Sequence, residues 1–211
     1  MQWARRHAHG PEGWNAPTMK TSLTVLAALL FSAQVSAQSF SPLRTGEQFS
    51  PSGTLSKGQG GSLIEEGDLN GVSYRFHYAD GGGEFRSGNT VWNVVCQKDA
   101  ISDKASCYMS SGDLLVFVRP KGVTTISIGS NHYPRTPITI RVDKGKPQSA
   151  PNGGPFGAQA SKGIVKQLST SGTVTTRYME WPHDVWDDKT FETKGFNEAY
   201  SYLVWAVERL N

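Results

Sequence analysis

Ten residues lie between Cys96 and Cys107, the only cysteines in the chain, and dense β-branched and aromatic runs flank both. Val91-Trp92-Asn93-Val94-Val95 leads into the first, and Leu114-Leu115-Val116-Phe117-Val118 follows the second. Such runs at a period of two predict neighbouring strands. A polar loop joins them and a disulfide closes it. Trp92, Val94 and Cys96 share one face, which sets the bridge beside the tryptophan against a core. Leu114 to Val118 is apolar on both faces, the pattern of a central strand covered on both sides.

A bridge of this kind belongs to an oxidising compartment, and buried free thiols are the alternative. Residues 19–37 point to export. Met19-Lys20 gives a positive start, Leu23–Phe31 a short apolar run, and Val35-Ser36-Ala37 a small-residue cleavage site. That is the grammar of a secretory signal peptide. The apolar run falls short of the about 20 residues a bilayer span needs, so an uncleaved anchor is the weaker reading. Residues 1–18 lack signal-peptide character, and Met19 is the expected start, with 1–18 a spurious extension. The mature chain then keeps 18 basic and 17 acidic residues. A chain so balanced has no electrostatic attraction to nucleic acid or to an anionic membrane. Loop-closure entropy for a bridge of this span gives about 3 kcal/mol of stabilisation.

Residues 38–62 are rich in Ser, Gly, Pro and Gln and read as a flexible lead-in, with a short strand over 40–49 as the alternative. Residues 63–211 read as a single β-rich domain. Val72, Tyr74, Phe76 and Tyr78 alternate with polar residues in a half-buried strand. Strands are also predicted over 123–128, 137–143 and 173–181, with a short edge strand at 190–193. Lys144 to Gly157 reads as a long surface loop. Over 160–169 a short helix capped by Ser161 competes with irregular structure. Phe196, Ala199, Tyr200, Leu203, Ala206, Val207 and Leu210 recur at helical spacing, predicting an amphipathic helix over 195–210. The expected fold is mainly β: an antiparallel sandwich-like or curved sheet with the C-terminal helix packed on it.

Catalytic grammar is sparse. Asp80-Gly81-Gly82-Gly83 opens no helix and carries no Lys-Ser/Thr, so it is a turn and no phosphate cradle. His77, His132 and His183 lack metal-ligand spacing. No Gly-x-Ser-x-Gly elbow occurs. No catalytic residue, metal or cofactor is therefore expected. The polar-aromatic cluster Tyr178, Glu180, Trp181, His183, Asp184 and Trp186 is the candidate binding surface, since tryptophan faces stack on apolar ligand surfaces. The bland reading makes its tryptophans plugs of the sheet edge. A glycan hydrolase using Glu180 and Asp184 is the enzymatic alternative. Inhibition of a hydrolase, through a loop at 129–134 or 80–89, is another.

The leader, the Trp92-x-Val94-x-Cys96 strand, the nearby second cysteine and the Gly195-Phe196-x-x-Ala199 helix together resemble the invasion-associated locus B family. Members are small exported proteins of Gram-negative, mostly alphaproteobacterial, lineages. The resemblance covers roughly residue 90 to the C-terminus. Many members carry a second cysteine pair, which the corresponding stretch 155–163 lacks here. The resemblance implies a periplasmic or secreted, envelope-associated and non-enzymatic protein. Its partner would be another protein or an envelope or host surface component, and in some pathogens the family is linked to host-cell invasion.

Overall fold

The computed structural model describes residues 47–99, 101, 102 and 104–209. The readings of 1–18 and 19–37, the first part of the lead-in and Leu210 lie outside the described residues. Eight strands follow one another as an antiparallel meander: β1 (Thr54–Lys57), β2 (Leu63–Leu69), β3 (Val72–His77), β4 (Gly83–Ser87), β5 (Thr90–Lys98), β6 (Ala105–Ser111), β7 (Leu114–Arg119) and β8 (Val123–Ile128). Then come β9 (Ile138–Val142), β10 (Gln148–Ala150), α1 (Ala158–Leu168), β11 (Thr173–Met179), β12 (Trp186–Glu192) and α2 (Phe196–Arg209). The later strands form a second antiparallel sheet in the order β10-β9-β11-β12. The expected class holds: two antiparallel sheets, with the C-terminal helix packed on the larger one.

The alternation in β3 does what its pattern requires, for Val72, Tyr74, Phe76 and Tyr78 are all buried. On β5, Trp92 and Val94 are buried and Trp92 donates through Nε1 to the Lys194 carbonyl at 2.9 Å. That bond ties the sheet to the start of α2. Gly195 turns the chain there with φ +78°, and a Cβ would sit 3.3 Å from Val72 and 3.5 Å from Trp92. Only glycine takes that backbone conformation without strain. Cys96 stands directly opposite Cys107 across β5 and β6 and is bonded to it, with Cα atoms 4.1 Å apart.

Several expectations change. The lead-in is fixed from residue 47 onward. Phe49 enters a cage of Tyr74, Phe76, Phe85, Tyr202 and Trp205, with ring centroids 5.2–6.2 Å away. Its backbone N–H and that of Ser50 each donate to the Glu65 carboxylate at 3.0 Å. Partial burial of the phenyl ring contributes up to about 1.5–3 kcal/mol, which adds to these hydrogen bonds in holding the Ser- and Gly-rich strap. β1 then pairs with β2 inside the same stretch. β4 and β10 are strands where turn and loop were expected. Ser161 is no cap: its hydroxyl is buried, accepts from Ile126 N–H at 3.1 Å and donates to the Phe156 carbonyl. β7 is covered on one face only, since Leu115 and Phe117 are half-buried and Phe117 leans on Tyr108. In α2 the buried stripe includes Tyr202, whose hydroxyl donates to the Gly81 carbonyl at 2.9 Å, while Tyr200 is half-buried.

Around Glu65 the core holds a carboxylate with no exposed surface, which also accepts from Tyr74 at 3.0 Å and Tyr78 at 2.6 Å. Burial, reinforced by the carboxylate, pushes the Tyr74 phenol up to about 12, with Ser50 opposing. Tyr78 rises through burial and its bond to Glu65, and Tyr202 through burial. An unfolded phenol ionises near pH 10, whereas these stay protonated in the fold, so the folded state holds more protons above that pH. Stability is therefore intact below about pH 10 and falls as pH rises beyond it. Urea midpoints measured on either side of pH 10 will show that drop, and Tyr74→Phe will lessen it.

Candidate functional site

β11 and β12 form a hairpin at one end of the small sheet, and the loop of residues 180–185 joins them. Along β11, Val174, Thr176 and Tyr178 point inward and are buried. Tyr178 therefore leaves the candidate surface. Its ring packs edge-on to His132 at 5.6 Å and lies so close to Gly129 that a Cβ there would fall 2.6 Å from a ring carbon. Burial raises its phenol, with the Asp113 charge adding to it. Tyr178 is the plug.

The tryptophans are not. Trp181 and Trp186 are 49% and 43% exposed, and Val185 between them is 69% exposed. The loop is held at its base by residues 131–133. Tyr133 N–H donates to the Met179 carbonyl, Trp181 N–H to the Asn131 carbonyl, and the Asn131 amide to the Trp181 carbonyl, each at 2.8 Å. The Trp181 ring lies 5.3 Å from that of Tyr133. At the other end, the Arg177 guanidinium sits 6.0 Å over the Trp186 ring while gripping both oxygens of Asp188. That grip holds the Asp188 carboxyl below the usual carboxylate range. Lys189 bonds Asp113 and Asp187, and the bond to Asp113 lifts its ammonium above the ordinary lysine value. The tryptophans thus stand on a frame braced by hydrogen bonds and ion pairs.

Glu180, His183 and Asp184 are exposed on the same loop. Four grooves among the described residues are lined by neither these three side chains nor the two tryptophans. The largest, of about 950 Å³, runs beside β12 between Lys189–Glu192 and the turns at Gly88–Thr90 and Ser111–Gly112. Of the two inhibitor loops, residues 129–134 lie between β8 and β9 as a loop, as expected, whereas the other is partly strand. Residues 83–87 are strand β4, and 131–133 are pinned to 179–181. No three His, Cys, Asp or Glu side chains converge as a metal site among the described residues, and none of their helices is long and apolar enough to cross a membrane.

Tyr133, Arg177 and Val185 belong to the surface in addition to the residues named from the sequence cluster. Val185 was legible as an apolar residue between two tryptophans. Tyr133 arrives through pairing 46 residues distant in sequence (Met179), which no local pattern encodes. The fold and surface define a two-sheet antiparallel β protein with a braced aromatic tip. Comparison of the chain with protein-family models, curated proteins and solved structures finds no match in any of the three.

Proposed function

We propose that the protein is an exported, non-enzymatic envelope-associated protein that binds a partner protein or surface component through Trp181, Val185 and Trp186. One observation carries this reading. Of the seven large apolar side chains exposed among the described residues, three fall within residues 181–186. Scattered apolar residues are ordinary on a surface, but a cluster on a rigid frame marks an interaction site. Tryptophan and arginine, paired here as Trp186 and Arg177, are the residue types that dominate binding energy in interfaces.

Export is supported by the leader pattern of 19–37 and by the disulfide, which fits an oxidising compartment. The resemblance to invasion-associated locus B proteins, resting on its short motifs, agrees with an envelope location and a role in host contact. The test is affinity capture from envelope extract and from host-cell surface extract by the wild type and by Trp181→Ala/Trp186→Ala. Proteins held by the wild type will be lost by the double variant, whose melting temperature will shift little because both rings are near half exposed. Turnover of a glycan that disappears in Glu180→Gln would instead establish the enzymatic alternative.

A further inference from the structure

We propose that the free edge of β12 is a strand-addition site, where an extended polypeptide segment of the partner docks as a fifth strand of the small sheet. This inference rests on the binding reading above and names the chemistry of its ligand.

The direction of the backbone groups follows from bonds already in place. The carbonyls of Thr173 and Met179 accept from Asp143 and Tyr133, on the β9 side of β11. The Gly172 carbonyl accepts from Thr193, on the β12 side. Backbone groups alternate along an antiparallel strand, so Val174, Thr176 and Tyr178 serve β12 through Phe191, Lys189 and Asp187. The N–H and C=O groups of Trp186, Asp188, Thr190 and Glu192 then point away from β11. Among the described residues none of these backbone groups has a hydrogen-bond partner.

Other outer strands are guarded. β1 and β10 have four and three residues. On β8 the outward N–H and C=O of Ile126 are taken by Ser161 and Phe156. β12 runs for seven residues without proline or bulge. Charged side chains normally protect such an edge. Here they are internally neutralised, Asp188 by Arg177 and Lys189 by Asp113 and Asp187.

The neighbouring groove selects the occupant. Its far wall is made by the turns at Gly88–Thr90 and Ser111–Gly112, facing Lys189–Glu192 of β12. A single added strand would lie beside the edge with those turns next to it, whereas a second copy's β12 would bring its whole sheet to the same place. Main-chain bonds would supply affinity and alternate side chains specificity, as in other strand additions. At the Trp186 end, Trp181 and Val185 ask for an apolar side chain. The ligand class is an extended segment with a free backbone and an apolar residue at that end.

The experiment screens the full protein against an array of short peptides of varied sequence and measures the affinity of the peptides retained. Thr190→Pro removes one N–H that points away from β11, at the cost of the exposed Thr175–Thr190 hydroxyl bond, and the edge position tolerates proline because that N–H serves no bond within the sheet. As a control needing no protein variant, retained peptides are remade with alternate amides N-methylated. Edge pairing predicts a loss of about tenfold or more from either change. Peptides that are lost on Trp181→Ala/Trp186→Ala yet indifferent to proline and to N-methylation would overturn strand addition and leave the aromatic reading standing. Retention of no peptide, or of peptides indifferent to every change, would overturn strand addition as well. Loss of captured proteins on the double tryptophan variant would then still decide the aromatic reading separately.

Discussion

Glu65→Gln will unfold the protein at a markedly lower temperature although it changes one atom of a side chain that touches no solvent. The carboxylate is acceptor-only and receives four donors, the N–H groups of Phe49 and Ser50 and the hydroxyls of Tyr74 and Tyr78. An amide keeps one oxygen and turns an NH₂ group toward two of those donors. Each buried donor left without an acceptor costs about 1–3 kcal/mol, so the substitution costs at least that much, and about 2–6 kcal/mol where both donors are stranded. The tyrosine hydroxyl can rotate, whereas the backbone N–H cannot, so at least one donor stays stranded. Release of the strap also frees Phe49 from its five-ring cage, which exposes apolar surface. Thermal melts and dye binding will show both effects. A melting temperature equal to the wild type would mean that the carboxylate contributes nothing beyond its volume.

The second large effect concerns the bridge. Cys96→Ser will cost about 2–5 kcal/mol by removing the constraint on the unfolded chain. Its partner Cys107 is fully buried, so the freed thiol remains in the core rather than at the surface. The neighbouring strands stay paired in register around it, so the fold and the tip of β11 and β12, on the other sheet, will be retained. Reduced wild type and Cys96→Ser should therefore melt together, both below the oxidised protein. An unchanged melting temperature in the variant would show the bridge to be idle.

How much of this was legible depends on where the information lies. β3 and α2 carry their patterns locally, over enough residues for a period of two or 3.6 to show. β4 offers only Phe85 and β10 only Ala150 as buried apolar residues, so neither period appears, and both strands are set by partners already in the sheet. Glu65 lies in Leu63-Ile64-Glu65-Glu66 and reads as a surface residue. Its burial is decided by Tyr74 on the next strand, by Tyr78 just past that strand's end and by a strap 15 residues away. The aromatic tip was visible as a cluster, yet Tyr178 shares the inward parity of Val174 and Thr176, which strand alternation alone could have separated from the tryptophans. The free edge of β12 was hidden because only short pairing at 190–193 was expected. The strand begins at Trp186, where Asp188 and Lys189 are neutralised by Arg177 and Asp113 on other elements and Asp187 by Lys189 beside it.

The proposed function requires that the tryptophan tip be the contact surface. Hydroxyl-radical footprinting of the protein alone and with its captured partner measures this directly. Protection of Trp181 and Trp186, both solvent-accessible in the free protein, is the expected result. If both remain as reactive in the complex as alone, while another face is protected, the partner binds elsewhere and the proposed function of the tip is wrong.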